Sequence, residues 1–374
     1  VMGRNFLLNV AENGFSSLGY DLNPEKAEAV KAESGDPARL HATDNLKAFV
    51  NGLQRPRKIM LLVPAGKIVD QVIEDLLPLL AAGDILVDGG NSFYADTDRR
   101  EAFLAKHDIH FFGTGVSGGA EGARKGPSIM PGGSREAYGH LKPVFEAAAA
   151  RYEDEPCVAW LGPRSAGNYV KMVHNGIEYG LMQLTAVIYA LLKAAGGMDN
   201  PQMAAAFASW DQGRLQSFLV EITAEILAKP DPLEGGFLID RILDKAKQKG
   251  TGKWTSQNGM DLGIPLPAID MAVSMRQVSA LKEERLAAET LYKRPGIPQW
   301  QKEALLPKAE AALYFAFIAT YAQGMQLLSE ASKAYEYDLN LADISKIWRA
   351  GCIIRAGLLA DIAEAFSQNP ELSN

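Results

Sequence analysis

The spacing of hydrophobic and polar positions changes character near residue 165. Before it, short apolar runs alternate with amphipathic stretches. Lys58-Ile-Met-Leu-Leu-Val63, Asp84-Ile-Leu-Val-Asp88, His110-Phe-Phe-Gly-Thr114 and Cys157-Val-Ala-Trp-Leu161 read as buried strands, and Ser16-Ser-Leu-Gly-Tyr-Asp21 as a shorter one. Residues 1–10, 24–32, 67–80, 97–105 and 135–148 carry helical periodicity, with Asn23-Pro24 as a start signal. This alternation predicts a Rossmann-like, doubly wound α/β domain over residues 1–164, its sheet mostly parallel and its ligands beyond the carboxyl ends of the strands. From Ser165 onward the pattern is helical nearly throughout. Periodic stretches cover 205–228, 268–293, 309–334 and 344–366, with breaks at Gly196-Gly197, Pro230 to Pro232 and Arg294 to Pro298. Residues 165–374 therefore predict a large all-α domain.

One stretch of the helical half is chemically unusual. In Ser165-Ala-Gly-Asn-Tyr-Val-Lys-Met-Val-His-Asn-Gly-Ile-Glu-Tyr-Gly180, with Ser165 as N-cap, helical spacing places Lys171, His174, Asn175, Glu178 and Met182 on one face. The continuation, 181–192, is apolar nearly all round, as expected of a core helix. A solvated stripe is the simpler reading of a Lys and a Glu. On a buried helix, however, such groups need partners or a chemical task.

The strand ends of the first half carry Asp21, Val63-Pro64-Ala65-Gly66, Gly90-Asn91 and Gly115-Val-Ser-Gly-Gly119. Gly3, after Val1 and Met2 at the head of the first helix, stands where a dinucleotide fingerprint has its third glycine, and Asp21 follows at about the 20-residue spacing of the ribose-binding acid. A carboxylate there repels a 2′-phosphate, and Leu22-Asn23 bring no arginine, so the cofactor reading is NAD rather than NADP. In the Gly-rich run 113–133, Ser117-Gly118-Gly119 suits a carboxylate; no GK[ST] is present. Gln248-Lys-Gly-Thr-Gly-Lys-Trp-Thr255 opens a helix with Lys249 and Thr251 suited to an anion, although a solvated turn is the plainer reading. Arg276, in an apolar helix, would need an anionic partner if buried.

Composition narrows the classes. A net charge of −7 with no Lys/Arg tract gives no reason to expect nucleic acid as a partner. Two cysteines alone, Cys157 and Cys352, far apart and in apolar settings, imply neither a disulfide framework nor a metal site, and the five histidines lack metal-ligand spacing, so no metal is expected. No run reaches the ~18 continuous apolar residues of a membrane span, and no signal peptide is visible, which makes a reducing cytoplasm the expectation.

Five motifs together resemble decarboxylating 6-phosphogluconate dehydrogenase: 171–180, Gly115-Val-Ser-Gly-Gly119, Lys125-Gly-Pro-Ser-Ile-Met-Pro-Gly-Gly133, 248–255 and Arg349-Ala-Gly-Cys-Ile-Ile-Arg355. The resemblance spans the chain. It implies oxidation of 6-phosphogluconate to ribulose 5-phosphate and CO2, a step of the pentose phosphate pathway, by a cytoplasmic homodimer using a nicotinamide dinucleotide and no metal. By position, Lys171 matches the general base and Glu178 the general acid. Asn91, Ser117, Gly118, Gly119, His174 and Asn175 match substrate contacts, and Tyr179, Lys249, Thr251 and Arg276 the phosphate set. Val63, Pro64, Ala65 and Asn91 match cofactor contacts, beside Val1, Met2, Gly3, Asp21, Leu22 and Asn23. A neutral lysine must accept the hydroxyl proton, and burial favours that state. A protonated glutamate can supply the later proton, and an apolar pocket favours it likewise.

The chain departs from the family pattern where Asp21-Leu22-Asn23 replaces the Asn-Arg-Ser/Thr of NADP-using members, Pro64 a lysine, and Ala120 a glutamate. The family's first strand and two glycines are not in this sequence, which implies an incomplete pyrophosphate site, and neither are its last helical segment and tail, which reach the partner's phosphate site. Weaker phosphate binding, dimerisation and activity are the expectation from that comparison. Two other readings share the scaffold: a 3-hydroxyisobutyrate-type dehydrogenase, which does not need Glu178, Tyr179, Lys249 and Arg276 as a set, and a catalytically silent NAD-binding fragment.

Overall fold

A computed structural model describes residues 1–33, 35, 38–292 and 296–373. The chain forms two compact units: residues 1–172, 331–352 and 366–370 make the first, and residues 173–330 and 353–365, with the last residues, the second.

In the first unit, α1 (Met2–Glu12) leads into β1 (Ser17–Tyr20), α2 (Pro24–Glu33), β2 (Leu40–Thr43) and α3 (Leu46–Asn51). Then come β3 (Lys58–Leu61), α4 (Lys67–Leu76), β4 (Ile85–Asp88), α5 (Tyr94–Ala105), β5 (His110–Val116), α6 (Gly119–Lys125), β6 (Ile129–Gly132) and α7 (Arg135–Ala148). β1 and β2 pair in parallel, β3, β4 and β5 pair in parallel, and β6 closes the second sheet antiparallel to β5. The expected α/β unit is present, with four elements that pattern reading missed: β2, α3, α6 and β6, each short and without a clean period of its own.

Strand alternation builds both faces of the larger sheet. Ile85, Val87 and Phe112 join Phe6, Leu141 and Phe145 in one core, while Leu86 and Phe111 join Val69, Ile73 and Leu104 in the other. At the amino ends of β3 and β4 a buried ion pair ties the strands. Asp84 accepts from the Arg57 backbone N–H at 2.8 Å, from its Nη1 at 2.7 Å and from the Ala81 N–H at 2.9 Å. Arg57 Nε donates to the Val50 carbonyl.

The expected strand 157–161 is corrected: it shrinks to a single parallel bridge between Ile129 and Val158. Ile129 N–H reaches the Cys157 carbonyl and Leu161 N–H the Pro131 carbonyl, but Pro131 between them has no N–H and breaks the ladder. The long helix α8 (Ala166–Ala194) starts where expected, yet Ser165 is not a side-chain cap in the expected sense. Its hydroxyl pairs with Tyr337 at 2.7 Å and its N–H goes to Asp98, while its carbonyl accepts the Tyr169 N–H.

The second unit is helical, with most of α8 followed by α9 (Asn200–Asp211), α10 (Phe218–Ala228), α11 (Thr251–Asp261), α12 (Pro267–Ala280) and α13 (Lys282–Leu291), then α14 (Lys302–Ala334). α15 (Leu341–Ile347) belongs to the first unit and α16 (Leu358–Gln368) mainly to the second. Three periodic stretches are corrected to interrupted ones. Residues 205–228 break after Asp211, whose carboxylate takes the Ser217 N–H while Ser217 caps α10. Residues 268–293 break at Leu281; Lys293 and the expected break at Arg294-Pro295 lie outside the described residues, as does Asn374. Residues 344–366 break between α15 and α16, where the backbone instead serves tertiary bonds, Ser128 N–H to Gly351 and Phe218 N–H to Arg355. The stretch 181–192 is also corrected: Leu181, Ile188 and Leu192 are buried, whereas Met182, Val187 and Leu191 are exposed, so burial is one-sided.

α14 is long and apolar enough to cross a membrane by length and composition. Its Leu305, Ala309, Leu313, Phe317, Tyr321 and Met325 form a buried stripe at helical spacing, the mark of a core helix.

The ion pair gives the first prediction. Asp84→Ala leaves a buried guanidinium without its carboxylate and lowers unfolding free energy by about 3 kcal/mol in denaturant titration.

Candidate active site

In the first unit, the amino end of α8 lies directly on β5. A Cβ built on Gly115 would stand 2.9 Å from Lys171 Cγ, and one on Gly113 would stand 2.6 Å from Thr97 Cγ2 and 3.0 Å from Asn168 Cγ. On the helix side, a Cβ at Gly167 would run into the carbonyls of Gly113 and Met130. Glycine on both surfaces permits this approach, which buries Lys171 to 5% exposure.

β5 then delivers Ser117, almost fully buried, with its N–H on the Ser128 carbonyl at 3.0 Å. Gly118 (φ +97°) and Gly119 (φ +63°) follow in the left-handed region, a turn that residues with a Cβ resist. Gly351 supports this turn: a Cβ on Gly118 would meet its carbonyl at 2.6 Å. Gly351 is a residue whose role sequence reading missed, although it lies inside the Arg349–Arg355 motif. Ala120 sits at the start of α6, its carbonyl accepting the Asn5 amide at 2.6 Å.

Beyond β4, the fully buried Asp88 accepts the Gly90 N–H at 2.9 Å and the Ser92 hydroxyl at 2.5 Å, shaping the turn that presents Asn91 to solvent. Burial pushes the Asp88 carboxyl above its ordinary value, against the pull of those donors and of Arg100 at 3.7 Å. The buried Arg100 holds Asp70 at 2.8 and 3.2 Å and the Gly66 carbonyl at 2.9 Å. It thereby secures the end of the loop in which Val63 is half-buried and Pro64 and Ala65 are exposed. Sequence reading gave Arg100 no role, because nothing in the surrounding helix pattern marks a buried guanidinium.

The Rossmann-like features are also placed. Gly3 lies in the first turn of α1 beside Leu62; a Cβ there would stand 3.4 Å from Leu62 Cβ, an ordinary contact. Asp21 follows β1, half-buried, its carboxylate accepting the Asn23 N–H at 3.0 Å. Lys26, which the sequence reading passed over, lies 3.6 Å from the same carboxylate. Val1 and Leu22 are largely exposed. These residues suit a dinucleotide: a glycine at the helix head and a carboxylate at the strand end.

In the second unit, His174 is fully buried, its Nδ1 3.0 Å from Asn175 Oδ1, and Asn175 Nδ2 donates to Thr251 Oγ1 at 3.2 Å. With Asn175 Oδ1 as the acceptor, the proton of this bond sits on His174 Nδ1. Thr251 begins α11 after Gly250 (φ +110°). Tyr179 is contacted by α12 and by the start of α11. The Arg276 guanidinium lies 3.7 Å from its ring centroid, and a Cβ on Gly252 would stand 2.5 Å from the ring. Arg276 is half-buried rather than buried, and the expected anionic partner is corrected to the Lys247 carbonyl at 2.7 Å and Met182 sulfur. Glu178 is half-buried and Lys249 exposed. The structure thus gathers His174, Asn175 and Thr251, and separately Tyr179 and Arg276. Lys171 and Glu178 share one unbroken helix, two turns apart.

Comparison with known proteins divides the chain once, near the start of α8. A family model described as the NAD binding domain of 6-phosphogluconate dehydrogenase matches residues 1–162, and one for the C-terminal domain of that enzyme matches 167–374. The decarboxylating 6-phosphogluconate dehydrogenase of Lactococcus lactis subsp. lactis (strain IL1403) is 48% identical over 377 aligned residues, covering 100% of this chain and 80% of that protein. The NADP(+)-dependent, decarboxylating enzyme of Bacillus subtilis (strain 168) is 48% identical over 376, with the same coverage. The solved structure of Plasmodium falciparum 6-phosphogluconate dehydrogenase, in apo form and in complex with its cofactor NADP+ and its substrate 6-phosphogluconate, has a TM-score of 0.96 at 41% identity, covering 99% of this chain and 80% of that one.

The glycine contact is directly testable. Gly115→Ala forces Lys171 off its seat, and kcat should drop about 100-fold while circular dichroism stays that of the parent.

Proposed function

The chain belongs to the 6-phosphogluconate dehydrogenase family and is an NAD(P)-dependent, decarboxylating oxidoreductase of that kind; from this premise we propose which residues carry the reaction and which cofactor it prefers. The observation that carries the reading is the whole-chain match together with the buried Lys171 and the half-buried Glu178 on one continuous helix. In it, residues 1–164 bind the dinucleotide and residues 165–374 bind substrate and a second subunit.

Val1, Met2, Gly3, Asp21, Leu22, Asn23, Val63, Pro64, Ala65 and Asn91 would hold the dinucleotide, whose nicotinamide supplies the hydride acceptor. Lys171 takes the proton of the C3 hydroxyl of 6-phosphogluconate as the C3 hydride departs. Ser117, Gly118 and Gly119 hold the sugar acid, and Asn91, His174 and Asn175 orient it. The resulting 3-keto group lies β to the carboxylate, so the C1–C2 electron pair flows into it as CO2 leaves. Glu178 then gives its proton to the former C2, which becomes C1 of ribulose 5-phosphate. Tyr179, Lys249, Thr251 and Arg276 bind the phosphate. A 3-hydroxyisobutyrate-type oxidation would leave this cationic group without an anion to meet.

NAD is the proposed preference, because Asp21 sets a negative charge where a 2′-phosphate would sit. Lys26, 3.6 Å from that carboxylate, offsets part of the repulsion, and Asp21 is itself half-exposed. Exposed Met182, Val187, Leu191, Met271, Phe315 and Ile318 on helices of the second unit support burial against a second copy, as a cytoplasmic homodimer.

Two measurements test the assignment. In paired assays of CO2 release from 6-phosphogluconate, kcat/KM with NAD should exceed that with NADP about tenfold, the effect of one partly screened charge; preference for NADP would overturn the Asp21 argument. Lys171→Ala should slow hydride transfer by about 1000-fold and Glu178→Gln turnover by about 100-fold, with substrate affinity retained. Near-parental rates in either variant would remove that residue from its role.

A further inference from the structure

The turn that presents Asn91 and the helix that carries Lys171 are joined by one buried side chain, Asn168, which the reaction above does not use. Asn168 is 2% exposed and lies one turn before Lys171 on α8. Its Oδ1 accepts the hydroxyl of the fully buried Thr97 at 2.8 Å, and its Nδ2 donates to the Gly90 carbonyl at 3.3 Å. The Gly90 carbonyl only accepts, so the amide has a single satisfied orientation. Gly113 leaves the space this amide fills, as Gly115 two residues later leaves the space for the Lys171 stem. Helix face (168, 171) and strand face (113, 115) are therefore matched pairs.

From this geometry we infer that Asn168 is a positioning residue that sets the distance between Asn91 and Lys171. A simple packing asparagine would be replaceable by any side chain of its volume. This one faces a carbonyl acceptor on one side and a hydroxyl donor on the other, so it requires a donor at Nδ2. The inference rests on the proposed roles of Asn91 and Lys171 and adds the link between them.

The distinguishing variant is Asn168→Asp, which keeps shape and the Thr97 bond but sets a carboxylate oxygen against the Gly90 carbonyl. Repulsion there should shift the Asn91 turn relative to Lys171. Misplacement by a fraction of an ångström should lower kcat about thirtyfold, with KM for 6-phosphogluconate within about threefold of the parent. The isotope effect with substrate deuterated at C3 should rise, since hydride transfer becomes limiting. Protonation restores a donor, so the ratio of variant to parent kcat should recover severalfold between about pH 8 and about pH 6, where a buried carboxyl takes up its proton. A kcat within about twofold of the parent, or a loss unchanged across that pH range, would overturn the inference.

Thr97→Val, which keeps volume and removes only the hydroxyl that orients the amide, guards against a folding defect. It should lower kcat about threefold and raise the isotope effect, and parental values for both would overturn the inference. Lys171→Ala, assayed beside them, separates the two levels. If it is active, the proposed base is wrong; if it is inactive while both Asn168→Asp and Thr97→Val are parental, only the positioning role falls.

Discussion

The close approach of α8 to β5 is the constraint on which the first unit's part of the site depends. A helix normally packs on a sheet through layers of side chains about 10 Å apart. Here Gly113 and Gly115 on the strand and Gly167 on the helix remove those layers, and the backbones nearly touch. The stem of the buried Lys171 lies against Gly115, where a side chain would otherwise stand. The same contact leaves Asn168 within reach of Gly90, so the geometry at Asn91 and at Lys171 derives from one interface.

Structural support and chemistry occupy opposite ends of the sheet. Arg57 and Asp84 brace the amino ends of β3 and β4, whereas Asp88, Arg100 and the glycine turns shape the loops after the carboxyl ends. Both arrangements use buried charge, for different purposes. Asp84 gathers three N–H donors and a cation, and those bonds outweigh burial to hold its carboxyl below the ordinary range. Asp88 has fewer donors and a more distant cation, and burial wins.

The fold class was legible because long segments with a clean period dominate the chain. The α/β alternation before residue 165 and the helical run after it both came through in the pattern. What failed was local and has common causes. Pro131 interrupts a ladder at residues 157–161 although the side chains there are apolar enough for a strand. The helix break at 212–217 turns on a short-range side-chain bond, Asp211 to the Ser217 N–H, whereas that at 348–357 is made by backbone bonds to distant segments, which no window of sequence contains. Lys171 was found because its type is costly to bury without partners, and Ser117 and Thr251 because each stands in a glycine-rich loop suited to an anion. Gly351, Arg100 and Asn168 were missed because they act by contacting something else, and only coordinates name that partner.

Arg276, in the proposed phosphate set, sets a positive charge on a protein of net charge −7. Its guanidinium is held by an aromatic face and a carbonyl, and among the described residues no carboxylate is paired with it. A ring and a carbonyl orient a cation through their dipole and quadrupole without cancelling its monopole. The field of that charge therefore extends for about a Debye length, ~8 Å at physiological ionic strength. An approaching phosphate would feel it before any hydrogen bond forms, against the repulsive average of the whole surface. Holding the arginine by π-electrons rather than by an acid thus turns a structural contact into a local reversal of the protein's electrostatic sign.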